Sequence, residues 1–222
     1  RMNAPMAWTE IARTGAFTTA QVARLINQSP AEVGSWLRGA RPLILSDFDT
    51  INGHVVVSFE ALIEARAIAH FIEEGFSKRK LRGILAELRQ KTKERHPLAR
   101  DCAFVTDGFR MIERSDEGRL INVVNDCYLE PELMRPALRG HVEFAGGRAA
   151  WLQPDPANLP LIRIDPRRAF GRPVLVDRGK AVPTTTIAAT AEEEGREAAA
   201  DWYDVSEAGV DQAVEFEHSL AA

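Results

Sequence analysis

The sequence predicts a mixed α+β protein in three stretches. These are a helix-turn-helix with a β-hairpin wing over residues 15–100, a β-rich segment with a connector over 101–159, and a small helical domain over 160–222. Three observations lead there. Two short helical patterns are joined by a turn at Asn27, the second opened by a Ser-Pro start signal. Asn52-Gly53 lies between two apolar, partly β-branched runs. Short strand-like runs separated by Gly and Asp turns fill residues 102–152, after which helical periodicity returns.

The first helix opens at Thr18 or Thr19, whose hydroxyls can accept an orphan amide of the first turn, and Val22, Ala23 and Ile26 share its apolar face. Asn27 tolerates the left-handed conformation of a tight turn. Ser29 as N-cap with Pro30 at the first helical position starts a second helix, and Val33, Trp36 and Leu37 form its inner face before Gly39 ends it. Leu43-Ile44-Leu45 and Val55-Val56-Val57 predict two strands closed by Asn52-Gly53. A third helix runs from Ser58 through Glu74, with Leu62, Ala65, Ile68, Ala69 and Ile72 as its stripe, until Gly75 breaks it. The fourth begins at Ser77 and places Leu81, Ile84, Leu85 and Leu88 inward. Lys78, Arg79, Lys80, Arg82, Arg89, Lys91 and Lys93 form a basic outer face, and His96-Pro97 closes the helix.

In the middle segment, residues 104–105, 109–112 and 120–124 read as strands, with turns at Asp107-Gly108 and Asp116-Glu117-Gly118. Residues 133–138 read as a short helix, and 142–144 with 149–152 as a hairpin around Gly146-Gly147. Residues 161–164 are a further strand, 165–183 a loop-rich stretch, and 187–194 and 197–203 two helices separated at Gly195. Ser206 caps a last helix with Val210, Ala213, Val214 and Phe216 inward.

Charge is unevenly distributed. The net charge of −4 divides into +5 over residues 1–100 and −9 over 101–222. A basic half beside an acidic half suggests nucleic acid at one end and another partner at the other; chance segregation of surface charge fits equally well. No stretch reaches the roughly 20 apolar residues of a membrane span, and no leader pattern is visible. Cys102 and Cys127 are far apart and lack metal-ligand spacing, so neither a metal nor a cofactor is expected, and cysteine usage predicts a cytoplasmic protein. The five histidines form no local cluster, and no phosphate-binding loop or nucleophile elbow is present, so no catalytic residues are assigned.

Residues 15–95, through Phe17-Thr18-Thr19-Ala20-Gln21-Val22-Ala23-Arg24-Leu25, Ser29-Pro30 and Trp36, resemble the DNA-binding module of MerR-type regulators. That resemblance implies a second helix in the major groove and a wing along the phosphates. It places Thr19, Ser29, Pro30, Glu32, Ser35 and Arg38 toward operator DNA, and Arg41 and His54 near its backbone. Two positions depart from the family pattern: Gly34 stands where an arginine is usual, and Asn27 where a turn glycine is usual. Reading two half-sites implies a homodimer.

Ile164-Asp165-Pro166-Arg167-Arg168-Ala169-Phe170-Gly171-Arg172-Pro173-Val174-Leu175, with a late helix ending Glu215-Phe216-Glu217, resembles a bacterial antitoxin domain. This family was first catalogued as domain of unknown function four-three-three and resembles VapB-type antitoxins. The resemblance implies a PIN-like ribonuclease toxin as partner. Residues 177–183 depart from the family's usual Gly-Thr-Arg-Ile-Pro pattern. PIN-type nucleases gather carboxylates around a divalent metal, and an arginine fork suits carboxylates. Arg167, Arg168, Arg172 and Arg178 are therefore the toxin-binding candidates; for Arg167 and Arg172, tying their own loop to the acidic helices behind it is the other use open. Ten Asp and Glu against one Arg between Glu192 and Glu217 make either a docking face for a basic surface or solvated helix faces. The expected function is thus an antitoxin that also regulates its own operon. A MerR-like regulator whose middle segment binds a small ligand is the alternative.

Overall fold

The computed structural model describes residues 14–48, 50, 54–100, 121–122, 127–128, 138 and 140–221, and has a mixed α+β fold. It divides into two compact units, one over residues 17–150 and one over 151–222 joined by residues 14–16. The division falls at residue 150; the sequence pattern places boundaries at 100 and 159.

The first unit opens with β1 (Phe17–Thr18), α1 (Thr19–Leu25) and α2 (Pro30–Leu37). Thr18 caps α1 in a reciprocal box: its Oγ1 accepts the Gln21 amide, and the Gln21 side chain accepts the Thr18 amide. Asn27 adopts φ 55°, making the tight turn between the helices without a glycine. Ser29 caps α2 and Pro30 occupies its first turn, as expected. Val22, Ala23, Val33 and Trp36 are buried in the core.

The wing differs from expectation. Leu43-Ile44-Leu45 forms no strand, because the Leu43 and Ile44 amides both donate to the Trp36 carbonyl, at 2.8 and 3.1 Å. The run is apolar because Leu43 and Ile44 fold back over the core. β2 (Val56–Val57) pairs with β1, in register Phe17↔Val57 and Thr18↔Val56. The Asn52-Gly53 turn lies outside the described residues.

α3 (Phe59–Glu73) and α4 (Lys78–Thr92) follow, capped by Ser58 and Ser77. The predicted inward residues of α4 are all buried. Lys93 ends that helix in the left-handed conformation, four residues before the short 3-10 turn Pro97–Ala99. Of the strands expected over 104–124, residues 121–122 are described: β3 (Ile121–Asn122) pairs with β4 (Cys127–Tyr128). The remainder, and the expected helix at 133–138 apart from Leu138, lies outside the described residues. β5 (Val142–Ala145) and β6 (Arg148–Leu152) form the predicted hairpin. Gly146 and Gly147 both have positive φ, 59° and 76°, as a two-residue turn of that hand requires.

The second unit is not a purely helical domain. β7 (Ile162–Ile164), β8 (Pro173–Asp177) and β9 (Lys180–Pro183) form antiparallel ladders, and Leu152 at the end of β6 pairs with Ile164. β7, β8 and β9 lie in sequence order in one sheet. Residues 173–183, expected as loop, are thus a hairpin, turned by Arg178 (φ 46°) and Gly179 (φ 78°). α5 (Thr184–Glu194), α6 (Arg196–Tyr203) and α7 (Glu207–Ala221) complete the unit. α7 packs on α5, α6 and β8, burying Val210, Ala213, Val214 and Phe216 as predicted. Gly209 permits this approach: a Cβ there would lie 3.0 Å from Asp177 Oδ2 and 3.1 Å from Leu175 Cδ2. Asp177 Oδ2 accepts both the amide and the hydroxyl of Ser206, each at 2.6 Å, while Ser206 Oγ caps α7 at the Gly209 amide. Those two bonds hold the Asp177 carboxyl below its ordinary pKa. No helix among the described residues is long and apolar enough to cross a membrane.

Candidate functional site

Two surfaces hold the predicted site residues. On α2, much of the expected DNA-facing set is already engaged inside the unit. Ser29 Oγ accepts the Glu32 amide. Glu32 Oε1 lies 2.7 Å from Lys78 Nζ and accepts the Trp36 indole N–H at 3.1 Å. Ser35 Oγ donates to the Glu32 carbonyl and accepts from Lys78 Nζ. The hydrogen bond from Lys78 outweighs desolvation and lowers the Glu32 pKa. Glu32 and Ser35 therefore fasten α2 to α4. Thr19 is half-buried one residue inside the cap, whereas Pro30, Arg38, Arg41 and His54 are exposed.

Position 34 has a local answer to its missing arginine. A Cβ built on Gly34 would lie 2.8 Å from Nη2 of Arg38, so the Arg38 guanidinium lies over Gly34. The glycine leaves room for it and a guanidinium stands above that position. Arg41 is held by its own backbone: Arg82 Nε donates to its carbonyl at 3.0 Å.

The first unit also holds a buried charged clasp that the sequence pattern does not reveal. His96 is 2% exposed and Glu64 0%. The two nitrogens of His96 face Glu64 Oε2 at 3.1 Å and Asp47 Oδ1 at 2.9 Å. With a carboxylate at each nitrogen, the imidazolium satisfies both. Burial opposes that charge, but the bonds to Asp47 and Glu64 prevail and raise the pKa to about 9. Asp47 is held low despite its own burial, through His96, Ser58 and Arg95. Arg89, expected on the outer basic face, instead reaches inward to Glu64 Oε2 at 2.8 Å and the Leu43 carbonyl at 2.7 Å. The hydrophobic neighbours of Arg89 could not signal this, because its partners lie 25 and 46 residues away.

The second surface is the Asp-Pro-Arg loop of the C-terminal unit. Asp165 is buried and accepts the Arg167 amide and Arg167 Nε from one side chain, at 2.9 and 3.0 Å. Arg168 Nε lies 3.6 Å from its second oxygen. One carboxylate thus positions two guanidiniums that stay 63% and 61% exposed. The chain then makes a left-handed turn through Ala169, Phe170 and Gly171, with φ 48°, 58° and 80°. This turn is closed by the Gly171 amide to the Arg168 carbonyl and the Arg172 amide to the Ala169 carbonyl. Arg172 follows, exposed.

Among the known proteins compared, the crystal structure of Rv2018 from Mycobacterium tuberculosis is similar to this chain. It shares 24% sequence identity, and the match covers 96% of this chain and 99% of that one, with a TM-score of 0.67. The likeness extends over both units and establishes a shared fold. No protein-family profile matches the chain, and neither does any curated protein.

The structure brings together three of the four arginines expected on one loop. Arg172 precedes β8 and Arg178 follows it, so an extended strand keeps their backbones about 20 Å apart. Arg178 sits instead in the β8–β9 turn, where its φ of 46° and its amide, bonded to Asp177, give it a turn-forming role. Neither Arg167 nor Arg168 ties the loop to the acidic helices; both bind the carboxylate of their own loop.

Proposed function

We propose that this chain is a cytoplasmic antitoxin, without enzymatic activity of its own, that neutralises a PIN-like ribonuclease and represses its operon as a homodimer. The observation that carries the reading is the loop at residues 165–172. A buried carboxylate preorganises two solvent-facing guanidiniums and a left-handed turn presents a third beside them. Preorganised forks suit a site built from metal-binding carboxylates, because little side-chain freedom remains to be lost on docking. The DNA-binding half of the proposal rests on Arg38, Arg41 and His54, since Glu32 and Ser35 are turned toward Lys78.

Affinity purification of the full chain from its native cells, with identification of bound proteins by mass spectrometry, tests the assignment. A small metal-dependent ribonuclease is expected, inhibited in the complex. Arg167→Ala with Arg172→Ala should weaken inhibition by one or more decades. Truncating one side of such a charge pair costs about 2–5 kcal/mol, and about 1.4 kcal/mol is tenfold. Full inhibition by the folded double variant, or no ribonuclease at all, sinks the reading. For the DNA role, Arg38→Ala should abolish a low-salt gel shift on the protein's own promoter; an unchanged shift removes Arg38 from the interface.

A further inference from the structure

We infer that Phe170 is the apolar anchor of the same loop, held out so that its ring enters an apolar pocket bordered by carboxylates on the partner protein. This rests on the antitoxin reading above and adds the shape and chemistry of the surface the partner must offer.

Two independent features single out Phe170. It is 65% exposed, and only Trp202 joins it as an exposed large hydrophobic among the described residues. It also holds φ 58° and ψ 30°, a conformation that side chains beyond glycine, asparagine and aspartate rarely adopt. Ala169 before it is left-handed as well. An exposed ring gains little within its own unit, and the backbone beneath it is strained. Both count against folding, so the natural setting for the residue is a complex. An aromatic anchor on a rigid turn also loses little freedom when it docks.

The surroundings define the partner. Arg167, Arg168 and Arg172 lie within three residues of Phe170 in the chain and are all exposed, and the first two share the buried carboxylate of Asp165. A surface that accepts Phe170 must therefore carry acidic groups around an apolar pocket. A nuclease that gathers carboxylates for a metal has that character. The acidic helices of a second copy are the competing occupant, and the test separates the two.

The test compares the full chain with Phe170→Asn and Phe170→Leu. Each is titrated calorimetrically against the ribonuclease identified in the native complex, and each is melted alone. Asparagine tolerates the left-handed turn and removes the ring. Phe170→Asn should therefore raise the melting temperature by about 2–4 °C while weakening the complex at least about tenfold. Phe170→Leu should keep most of the affinity. A lower melting temperature for Phe170→Asn makes the ring structural and overturns the inference. So does a complex within about twofold of the parent in affinity. That second outcome leaves the antitoxin reading standing, whereas a parent chain that retains no ribonuclease removes both. Self-association of the parent, lost in Phe170→Asn while ribonuclease binding persists, assigns the ring to a second copy and also overturns the inference.

Discussion

Two sets of paired arginines, one in each unit, are used differently. In the first, Arg89, Arg95 and Arg100 point to buried or half-buried carboxylates and backbone carbonyls: Arg89 to Glu64, Arg95 to Asp47, and Arg100 to Glu60 and Glu94. In the second, Arg167 and Arg168 are also paired, but with a carboxylate that leaves them facing solvent. Where the guanidinium itself is enclosed, as in Arg89 at 16% and Arg100 at 3% exposure, the pair closes a core; where only the carboxylate is, as at Asp165, the pair displays a charge. The spacing of basic residues in a sequence does not separate these cases, because the depth of the arginine decides.

The largest effect that sharpens this contrast is expected at the clasp. His96→Ala leaves Glu64 and Asp47 without their shared imidazolium and should cost about 3–5 kcal/mol. Urea unfolding followed by amide signals of residues 17–100 checks it, and a loss below about 1 kcal/mol would mean the clasp is incidental. The same group sets a pH window. Its folded pKa of about 9 lies above the ordinary 6.5, so its contribution is complete below 6.5 and disappears as pH rises through 9. Asp47 acts in the other direction, contributing above its ordinary 3.8 and losing that contribution as the medium becomes more acidic. Melting temperature should therefore fall between pH 6.5 and 9, and a flat profile in His96→Gln attributes that fall to His96.

A smaller effect is expected at Gly209. Helix propensity favours Gly209→Ala by about 1 kcal/mol, but overpacking against Asp177 and Leu175 costs about 1–3 kcal/mol. The net expectation is a loss near 1 kcal/mol by denaturant midpoint; a gain would mean that α7 can shift off β8 freely. The smallest effect belongs to the displayed arginines. Arg167→Ala and Arg172→Ala should each change stability by under about 0.5 kcal/mol, however large their effect on the partner. A greater loss in the melt of the free chain would place these side chains with the first unit's enclosed ones.

What the sequence made legible was local. Ser29, Ser58, Ser77 and Ser206 each accept an amide three residues ahead, and each reads as a helix start from its own neighbours. The apolar faces of α4 and α7 were equally clear, because helical period and burial coincide there. The β8–β9 hairpin was missed because Pro173 and Pro183 read as breakers and Arg178-Gly179 is a weaker turn signal than Asn-Gly. Val174-Leu175-Val176 and Ala181-Val182 around that turn were the available clue. The clasp was illegible for a different reason: Asp47, Glu64 and His96 are separated by 32 and 49 residues along the chain and meet only through packing. The exposed ring of Phe170 was hidden by its own motif, since nothing in Ala-Phe-Gly announces three left-handed residues in succession.

α7 is fastened to both ends of β8, once at its N-cap and once about a turn before its last residue. Ser206 binds Asp177 at one end; at the other, Glu217 accepts from Thr184, whose hydroxyl also meets the carbonyl of Pro173. Eleven helical steps from Ser206 to Glu217 measure about 16 Å, and four strand steps from Pro173 to Asp177 about 13 Å. Strand and helix thus act as two rulers with different graduations, read against each other at both marks. Adding one residue to β8 lengthens it by about 3.3 Å, and adding one to α7 turns its far end by about 100°, so neither can change length alone and keep both marks. A change of length is therefore expected to be tolerated in the turns of this unit, and the arginine loop ends where the strand ruler starts.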